Sequence, residues 1–384
     1  MRLHFLCCMT ADRQNKVVHC QSIYDKNSNK LNMDVLKNQL NQHNSTATLT
    51  STLEELSNVI CFSVKLKEQV RNSNLLDSLK LFVQSKNTDI QKKSLEVLVQ
   101  LVDVNLIKSD LAEPHFLIYL KKIISNTSHK SREEAVILYS KIISQATFSL
   151  KQIREEVNDI KKYINDTNPV VCNAALRGLK ECLQEKKVPY EYLDKHDLKS
   201  QLIPLLDSDF SDIKLNTLDI LNIFVKNDYL KECILRSVEL NTILNLFQEG
   251  DCKQGVLEFS YHGILLDSIT PLVDKNCKFQ MCLIDSLTDD RDDVRMSALK
   301  CLIEYSKNRS GYKWLIIGAI LPLAADTSDS IRQLAVSKIQ VDFNQDDVKE
   351  HFRQSVIIEN LKDLSISSRP AIRSSIAIVL KAIQ

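Results

Sequence analysis

The sequence predicts an all-α protein, an α-solenoid of about nine helical repeats with a period of roughly 40 residues. Three observations predict it. Glycine occurs only six times in 384 residues, first at Gly178, where average usage would supply about 27. Proline occurs seven times, none before Pro114, and a sheet protein needs tight turns of Gly, Pro and Asn far more often. Finally, one apolar pattern recurs along the chain. An aliphatic residue i is followed by a small residue at i+4 and a larger apolar residue at i+8, all on one helical face.

The elements follow in order. Residues 1–45 read as a weakly ordered polar tail, since Tyr24–Asn44 is rich in Asn, Lys and Gln with Tyr24 its only aromatic residue. Met33 is the expected start of the folded region, which then runs over 46–384 from a capping helix near Leu53. The repeated triplets are Leu53/Ser57/Cys61, Ile90/Ser94/Leu98, Ser131/Ala135/Tyr139, Val171/Ala175/Leu179, Ile213/Thr217/Leu221, Val256/Ser260/Ile264, Val294/Ala298/Leu302, Ile331/Ala335/Ile339 and Ile372/Ile376/Leu380. Their first positions lie 37, 41, 40, 42, 43, 38, 37 and 41 residues apart.

Polar turns precede most triplets, among them 86–89, 165–168, 207–212, 288–293 and 326–330. Their Asp, Asn and Ser side chains suit the exposed N–H groups and the positive end of the following helix. Pro169 falls where a helix start tolerates proline. A second apolar helix comes before most of these turns, at Leu75–Val83, Phe116–Ile124, Leu198–Leu206, Ile243–Phe247, Phe279–Leu287, Leu315–Ala325 and Val356–Leu364. Each unit is thus a helical hairpin that cannot bury its apolar face alone, and stacking completes the core.

Composition excludes several functions. The scarce glycines form neither G-x-G-x-x-G nor G-x-x-x-x-G-K, so no phosphate-cradling loop and no cofactor is expected. Fifty basic residues balance 49 acidic ones for a net charge of +1, without the basic excess that displaces counterions from nucleic acid. The longest apolar run, Trp314–Ala325, is broken by Gly318 and Pro322 and is too short to span a bilayer. The opening residues Met1–Met9 imitate a signal peptide but have too brief an apolar core. Eleven scattered cysteines read as reduced thiols inside a cell. The four N-x-[ST] sequons, at Asn44, Asn126, Asn165 and Asn308, match what an Asn/Ser/Thr-rich chain gives by accident.

Candidate chemistry is thin. His4, Cys7, Cys8, His19 and Cys20 are metal-ligand types, but their spacing fits no zinc site. Cys277 and Cys282 form a C-x₄-C pair with His262 upstream; on a helix the two diverge by about 140°, so core packing is expected. The acidic run Asp285–Asp293 lacks the glycine and glutamate of a calcium loop and reads as helix capping, with docking of a basic partner segment as the alternative. No H-E-x-x-H or G-x-S-x-G occurs. The S-x-x-K spacings at Ser211/Lys214, Ser297/Lys300 and Ser310/Lys313 stand without accompanying catalytic elements. The chain is therefore expected not to be an enzyme. Trp314 reads as a core residue, or else as an interface anchor.

The pattern resembles the HEAT and armadillo repeat superfamily over about Leu53 to Ile383. Leu202-Ile-Pro-Leu-Leu206 followed by Asp212-Ile-Lys214 resembles a HEAT unit. Gly318-Ala-Ile-Leu-Pro-Leu323 followed by Ser330-Ile-Arg332 and Ala335 resembles an armadillo unit. The resemblance implies that the triplet-bearing helices line a concave groove, with positions i+6 and i+10 facing the ligand. Those positions hold Glu96, Ile137, Arg177, Asp219, His262, Lys300 and Ser337, and Gln100, Lys141, Glu181, Ile223, Leu266, Glu304 and Val341. Armadillo receptors for nuclear import signals carry a ladder of Trp and Asn there; this chain has mixed charges, suited to a folded protein surface.

Within the superfamily, the order of units is similar to the 26S proteasome non-ATPase regulatory subunit 5 family. The likeness rests on Asp159-Ile-Lys-Lys-Tyr-Ile164 through Leu206, on Leu205–Ile269 with its Tyr261-His-Gly-Ile-Leu265 helix, and on Leu283-Ile-Asp-Ser-Leu287 through Gly311-Tyr-Lys-Trp-Leu315. It implies a non-catalytic, cytoplasmic or also nuclear chaperone of proteasome assembly that binds an ATPase subunit of the regulatory particle base and departs as the complex matures. The implied contact residues are Glu96, Gln100, Lys141, Arg177, Glu181, Asp219, His262, Lys300 and Glu304. The expected partner is a protein, with no small-molecule substrate, nucleic acid or membrane. A general HEAT-repeat scaffold for another complex is the main alternative, and a nucleic-acid-associated solenoid the weaker one.

Overall fold

A computed structural model describes residues 23–383 except 26–27, 29, 62, 103–110, 146–147, 186–197, 266–276, 308–312, 344–351, 353–355 and 367–368. It is an all-α helical solenoid, dividing into two compact units, Met1–Ile142 and Ile143–Gln384.

The first unit opens with a small antiparallel ribbon, β1 (Tyr24–Asp25) and β2 (Lys30–Leu31), in which Tyr24 faces Leu31. Helix α1 (Met33–Gln39) follows, then α2 (Thr46–Ile60), α3 (Val64–Arg71), α4 (Leu75–Val83), α5 (Thr88–Val102) and α6 (Pro114–Ser125). Helix α7 is Arg132–Gln145. Residues 23–45 thus differ from the expected weakly ordered tail, and the ordered chain begins before Met33. The reason is local. Ile23, Leu31, Leu36 and Leu40 are buried apolar residues dispersed among polar ones. The Ile23 and Leu31 amides donate to Glu55 Oε1 (3.2 Å) on α2 and Gln69 Oε1 (3.0 Å) on α3, which ties the ribbon to the helices.

The chain continues with α8 (Leu150–Lys161), α9 (Pro169–Gln184), α10 (Leu198–Leu202), α11 (Ser211–Val225), α12 (Asp228–Leu235), α13 (Leu240–Phe247) and α14 (Lys253–Leu265). After them come α15 (Cys277–Asp285), α16 (Asp292–Lys307), α17 (Lys313–Ile320), α18 (Asp329–Asp342), α19 (Val356–Leu364) and α20 (Pro370–Ile383). Helices α10 and α17 tighten into 3₁₀ turns at Ile203–Asp207 and Leu321–Ala325. Pro204 and Pro322 sit at the starts of those turns, where a missing N–H breaks the α-helical ladder.

The triplets mark one row of helices. In the second unit α9, α11, α14, α16, α18 and α20 pack in succession, and α8, α10, α13, α15, α17 and α19 form the facing row. Val171, Ala175, Leu179, Ala298, Ile331, Ala335 and Ile339 are all 0% exposed. Burying a Val, Leu or Ile side chain stabilises by about 1.5–3 kcal/mol. Where α14 meets α11, a Cβ on Gly255 would lie 2.8 Å from Leu218 Cδ2, so any larger residue here requires the Leu218 side chain to shift.

Two of the polar turns cap as the sequence predicts. Asn168 Oδ1 accepts from the Val170 and Val171 amides, at 2.9 and 3.4 Å, with Pro169 at the first helical position. Asn87 Oδ1 likewise accepts from the Asp89 and Ile90 amides, at 2.9 and 3.2 Å. Asp289 and Asp326 instead close the turns before their helices, accepting from the Arg291 and Ser328 amides, while Phe210 and Ser328 precede α11 and α18 without a side-chain cap.

Two further devices hold neighbours together. In five units the residue after the first triplet position turns back to the end of the preceding helix or to the turn between them, where carbonyls lack intrahelical partners. Gln91 Nε2 donates to the Val83 carbonyl (2.7 Å), Arg132 Nε to that of Ile124 (2.7 Å) and Cys172 Sγ to that of Ile164 (2.8 Å). Arg332 Nη1 reaches the Asp326 carbonyl (2.7 Å), and Arg295 Nη1 those of Asp289 (2.9 Å) and Asp290 (3.1 Å). Burial, then the nearby Asp166 carboxylate, pushes the Cys172 thiol up to about 11, so it stays a protonated donor.

The second device is an ion pair from one primary helix to the turn before the next. Lys214 pairs with Glu249, Lys253 with Asp289 (3.0 Å), and Arg295 with Asp326 (2.8 Å). Burial works to raise the Asp289 carboxyl, but the Arg291 amide and the Lys253 and Arg291 side chains hold it below the usual carboxylate range.

Hydrogen exchange on the full chain should show the Ile23 and Leu31 amides protected, and Gln69→Ala should speed exchange at Leu31 about fivefold, the loss of one hydrogen bond. Arg295→Met leaves Asp326, whose side chain is 5% exposed, without its partner. Urea unfolding should show a loss of about 3 kcal/mol. Adding Asp326→Leu should recover only a fraction of this, because Asp326 also accepts from the Ser328 amide.

Candidate functional site

The nine expected contact residues all fall on triplet-bearing helices. Glu96 and Gln100 lie on α5, Lys141 on α7, Arg177 and Glu181 on α9, Asp219 on α11, His262 on α14, and Lys300 and Glu304 on α16. None is buried. Positions i+6 and i+10 point away from the side that i, i+4 and i+8 bury, as helical periodicity demands. In the second unit, α9, α11, α14 and α16 pack consecutively, so Arg177, Asp219, His262 and Lys300 occupy equivalent sites on successive helices.

The residues divide into two kinds. Arg177 and Lys300 are exposed. Gln100, Glu181 and Asp219 are held by their own chain. Gln100 Nε2 donates to Ser57 Oγ on α2 (2.7 Å), Glu181 Oε2 accepts from Ser144 Oγ on α7 (2.5 Å), and Asp219 Oδ2 accepts from Lys180 Nζ on α9 (3.1 Å). These three brace neighbouring helices, a role that the position count alone did not reveal. Glu96 and Glu304 bond Lys93 (3.0 Å) and Lys307 (2.7 Å), each three residues away on the same helix.

His262 packs edge-on to Tyr261, with ring centroids 5.7 Å apart. Burial, then the Lys231 and Lys226 ammonium groups, holds its imidazole below the ordinary range against an opposing pull from Glu258. This favours the neutral, hydrogen-bonding ring over the imidazolium.

Apolar contacts extend the line. Val341, at i+10 of α18, is 62% exposed, and Ile378, at i+6 of α20, is 40% exposed. Helices α18 and α20 pack together. Reading the same positions one helix further exposes this signal in the sequence.

No catalytic arrangement emerges among the described residues. An open depression of about 440 Å³ lined by Asn158, Lys161, Lys162 and Gln201 contains no nucleophile with a base. Among the described residues no group of three His, Cys, Asp or Glu is placed to hold a metal ion, and no helix is long and apolar enough to cross a membrane. The His4, Cys7, Cys8, His19 and Cys20 cluster lies outside the described residues, as does the Trp314 side chain. Cys277 is exposed and Cys282 half-buried, so the expected core packing fails for Cys277. It is the first residue of α15. In the acidic run Asp289 accepts from the Arg291 amide in the turn before α16 and Asp293 from the Val294 amide in its first turn, and the run also pairs with Lys253, Arg291 and Arg295.

The fold fits the armadillo-like helical class. No protein-family profile and no curated protein matches the chain. Among solved structures, the crystal structure of an engineered protein is similar over 91% of this chain and 97% of its own, with a TM-score of 0.60 and 13% sequence identity. That likeness concerns the fold.

The two kinds of residue predict different outcomes. Glu181→Ala should lower stability by about 1 kcal/mol in chemical unfolding, through loss of its hydrogen bond with Ser144. Lys300→Ala should leave stability within about 0.5 kcal/mol, as for an unburied surface side chain.

Proposed function

We propose that this chain is a non-catalytic protein-binding solenoid that chaperones assembly of the 26S proteasome regulatory particle base by holding an ATPase subunit. The observation that carries the binding role is the line of exposed Arg177 and Lys300, with the half-buried His262 between them, on consecutively packed helices, continued by the exposed apolar Val341. Exposed charge steers encounter and selects against wrong partners without demanding high affinity. Exposed apolar residues at its end supply anchors that steering alone lacks. The proteasome assignment rests on the unit order from Asp159 through Leu315 that resembles the subunit 5 family. A cytoplasmic or nuclear setting belongs to the same proposal, and the free cysteines among the described residues suit it. A general scaffold for another assembly is the second reading, favoured by the mixed charge of the face, which is not peculiar to one partner.

The test is a pull-down of isolated base ATPase subunits by the purified chain at micromolar concentration. One ATPase should be retained, and Arg177→Glu combined with Lys300→Glu should weaken retention about tenfold, or roughly 1.4 kcal/mol. Retention of no ATPase sinks the chaperone reading. Reproducible capture of a different, identified complex, with the same sensitivity to charge reversal, turns the conclusion to the scaffold.

A further inference from the structure

We propose that Lys199 and Cys233 form a peroxide-responsive nitrogen–oxygen–sulfur bridge that locks α10 to α12. Lys199 Nζ lies 2.6 Å from Cys233 Sγ, across 34 residues of sequence. Sulfur is larger than oxygen, yet this separation is already below the usual N–H···O range of about 2.7–3.2 Å. The two atoms stand at a spacing that one bridging oxygen spans. Both residues are half-buried, open to a small oxidant yet held by their surroundings. Their helices are fixed too, since α12 packs on α11 and α11 packs on the 3₁₀ turn that continues α10.

Among the described residues, three buried thiols are placed differently. Cys172 and Cys301 are buried and donate to the Ile164 and Leu257 carbonyls. Burial pushes both thiols up, as it does Cys252, which rises to about 11. Cys233 instead has an amine against its sulfur and partial access to solvent, the setting in which thiol oxidation is site-selective.

The chemistry balances with two molecules of hydrogen peroxide. One oxidises the Cys233 thiol to a sulfenic acid and leaves as water. The Lys199 ammonium loses a proton to solvent, and the second peroxide converts the amine to a hydroxylamine, again releasing water. The hydroxylamine oxygen then attacks the sulfenyl sulfur, an S–O bond forms, and the sulfenic hydroxyl departs with a proton as a third water. Two equivalents of a dithiol, each supplying two electrons and two protons, return the amine, the thiol and one water.

The experiment uses the full chain, titrated with hydrogen peroxide, digested without reductant and read by peptide mass spectrometry. The expected product joins the peptides bearing Lys199 and Cys233, at their summed mass plus one oxygen less two hydrogens. Dithiothreitol should remove it, and it should be absent from Lys199→Arg and from Cys233→Ser. Circular dichroism confirms that each variant is folded, and Lys199→Arg keeps the charge beside the sulfur if Cys233→Ser fails that check. Accumulation of Cys233 sulfinic acid in the wild type with no joined peptide overturns the proposal. So does a product of the same mass that persists in Lys199→Arg.

Discussion

The structure depends on how closely one triplet-bearing helix can approach the next. At the middle of six of the nine triplets stands a small residue that leaves no accessible surface: Ser94, Ala135, Ala175, Thr217, Ala298 and Ala335 are all 0% exposed. A larger side chain there would push the paired helices apart, and every apolar residue flanking it would lose contact with its neighbours. Gly255 is the limiting case, since its backbone touches Leu218 where any Cβ would intrude, and its carbonyl accepts from Asn222 Nδ2 at 2.9 Å.

Close approach creates a second requirement. Short turns leave the end of each facing helix against the start of a triplet-bearing one, with carbonyls that water reaches poorly. An unmet buried carbonyl costs roughly 1–3 kcal/mol. The position after the first apolar residue meets it with whatever donor the sequence supplies there: an amide at Gln91, a guanidinium at Arg132, Arg295 and Arg332, a thiol at Cys172. Chemical identity varies while geometry does not. The groups facing outward on the same helices are then left to vary for another purpose, which is where Arg177 and Lys300 stand.

The repeat was legible because triplet and period are local properties of the sequence. Each first apolar residue from Ile90 onward, Ser131 excepted, falls in the first turn of a helix, and Leu75–Val83 and Val356–Leu364 are helices with the predicted bounds. Helices α3 and α12 carry no triplet, and the ribbon at Tyr24–Leu31 is polar, so neither announces itself. The candidate face was legible only as positions. That Gln100 reaches Ser57 and Glu181 reaches Ser144, 43 and 37 residues away, depends on how neighbouring helices cross. Periodicity within one helix contains no information about that crossing. The same blindness hid the Lys199–Cys233 contact, which joins a short helix to an inserted one.

The ion pairs of Lys214, Lys253 and Arg295 with the next turn also have a mechanical meaning. They act as springs in series along the turn end of one row, each coupling two neighbours and no others. A load applied to the row is shared as small changes of pitch at every joint, while the packed centres beside the small residues serve as pivots. Such a row conforms to a rigid surface gradually, without a single hinge. Its stiffness is set by charge pairs that are themselves largely buried, so salt screens them little and the joints keep their register across ionic strengths.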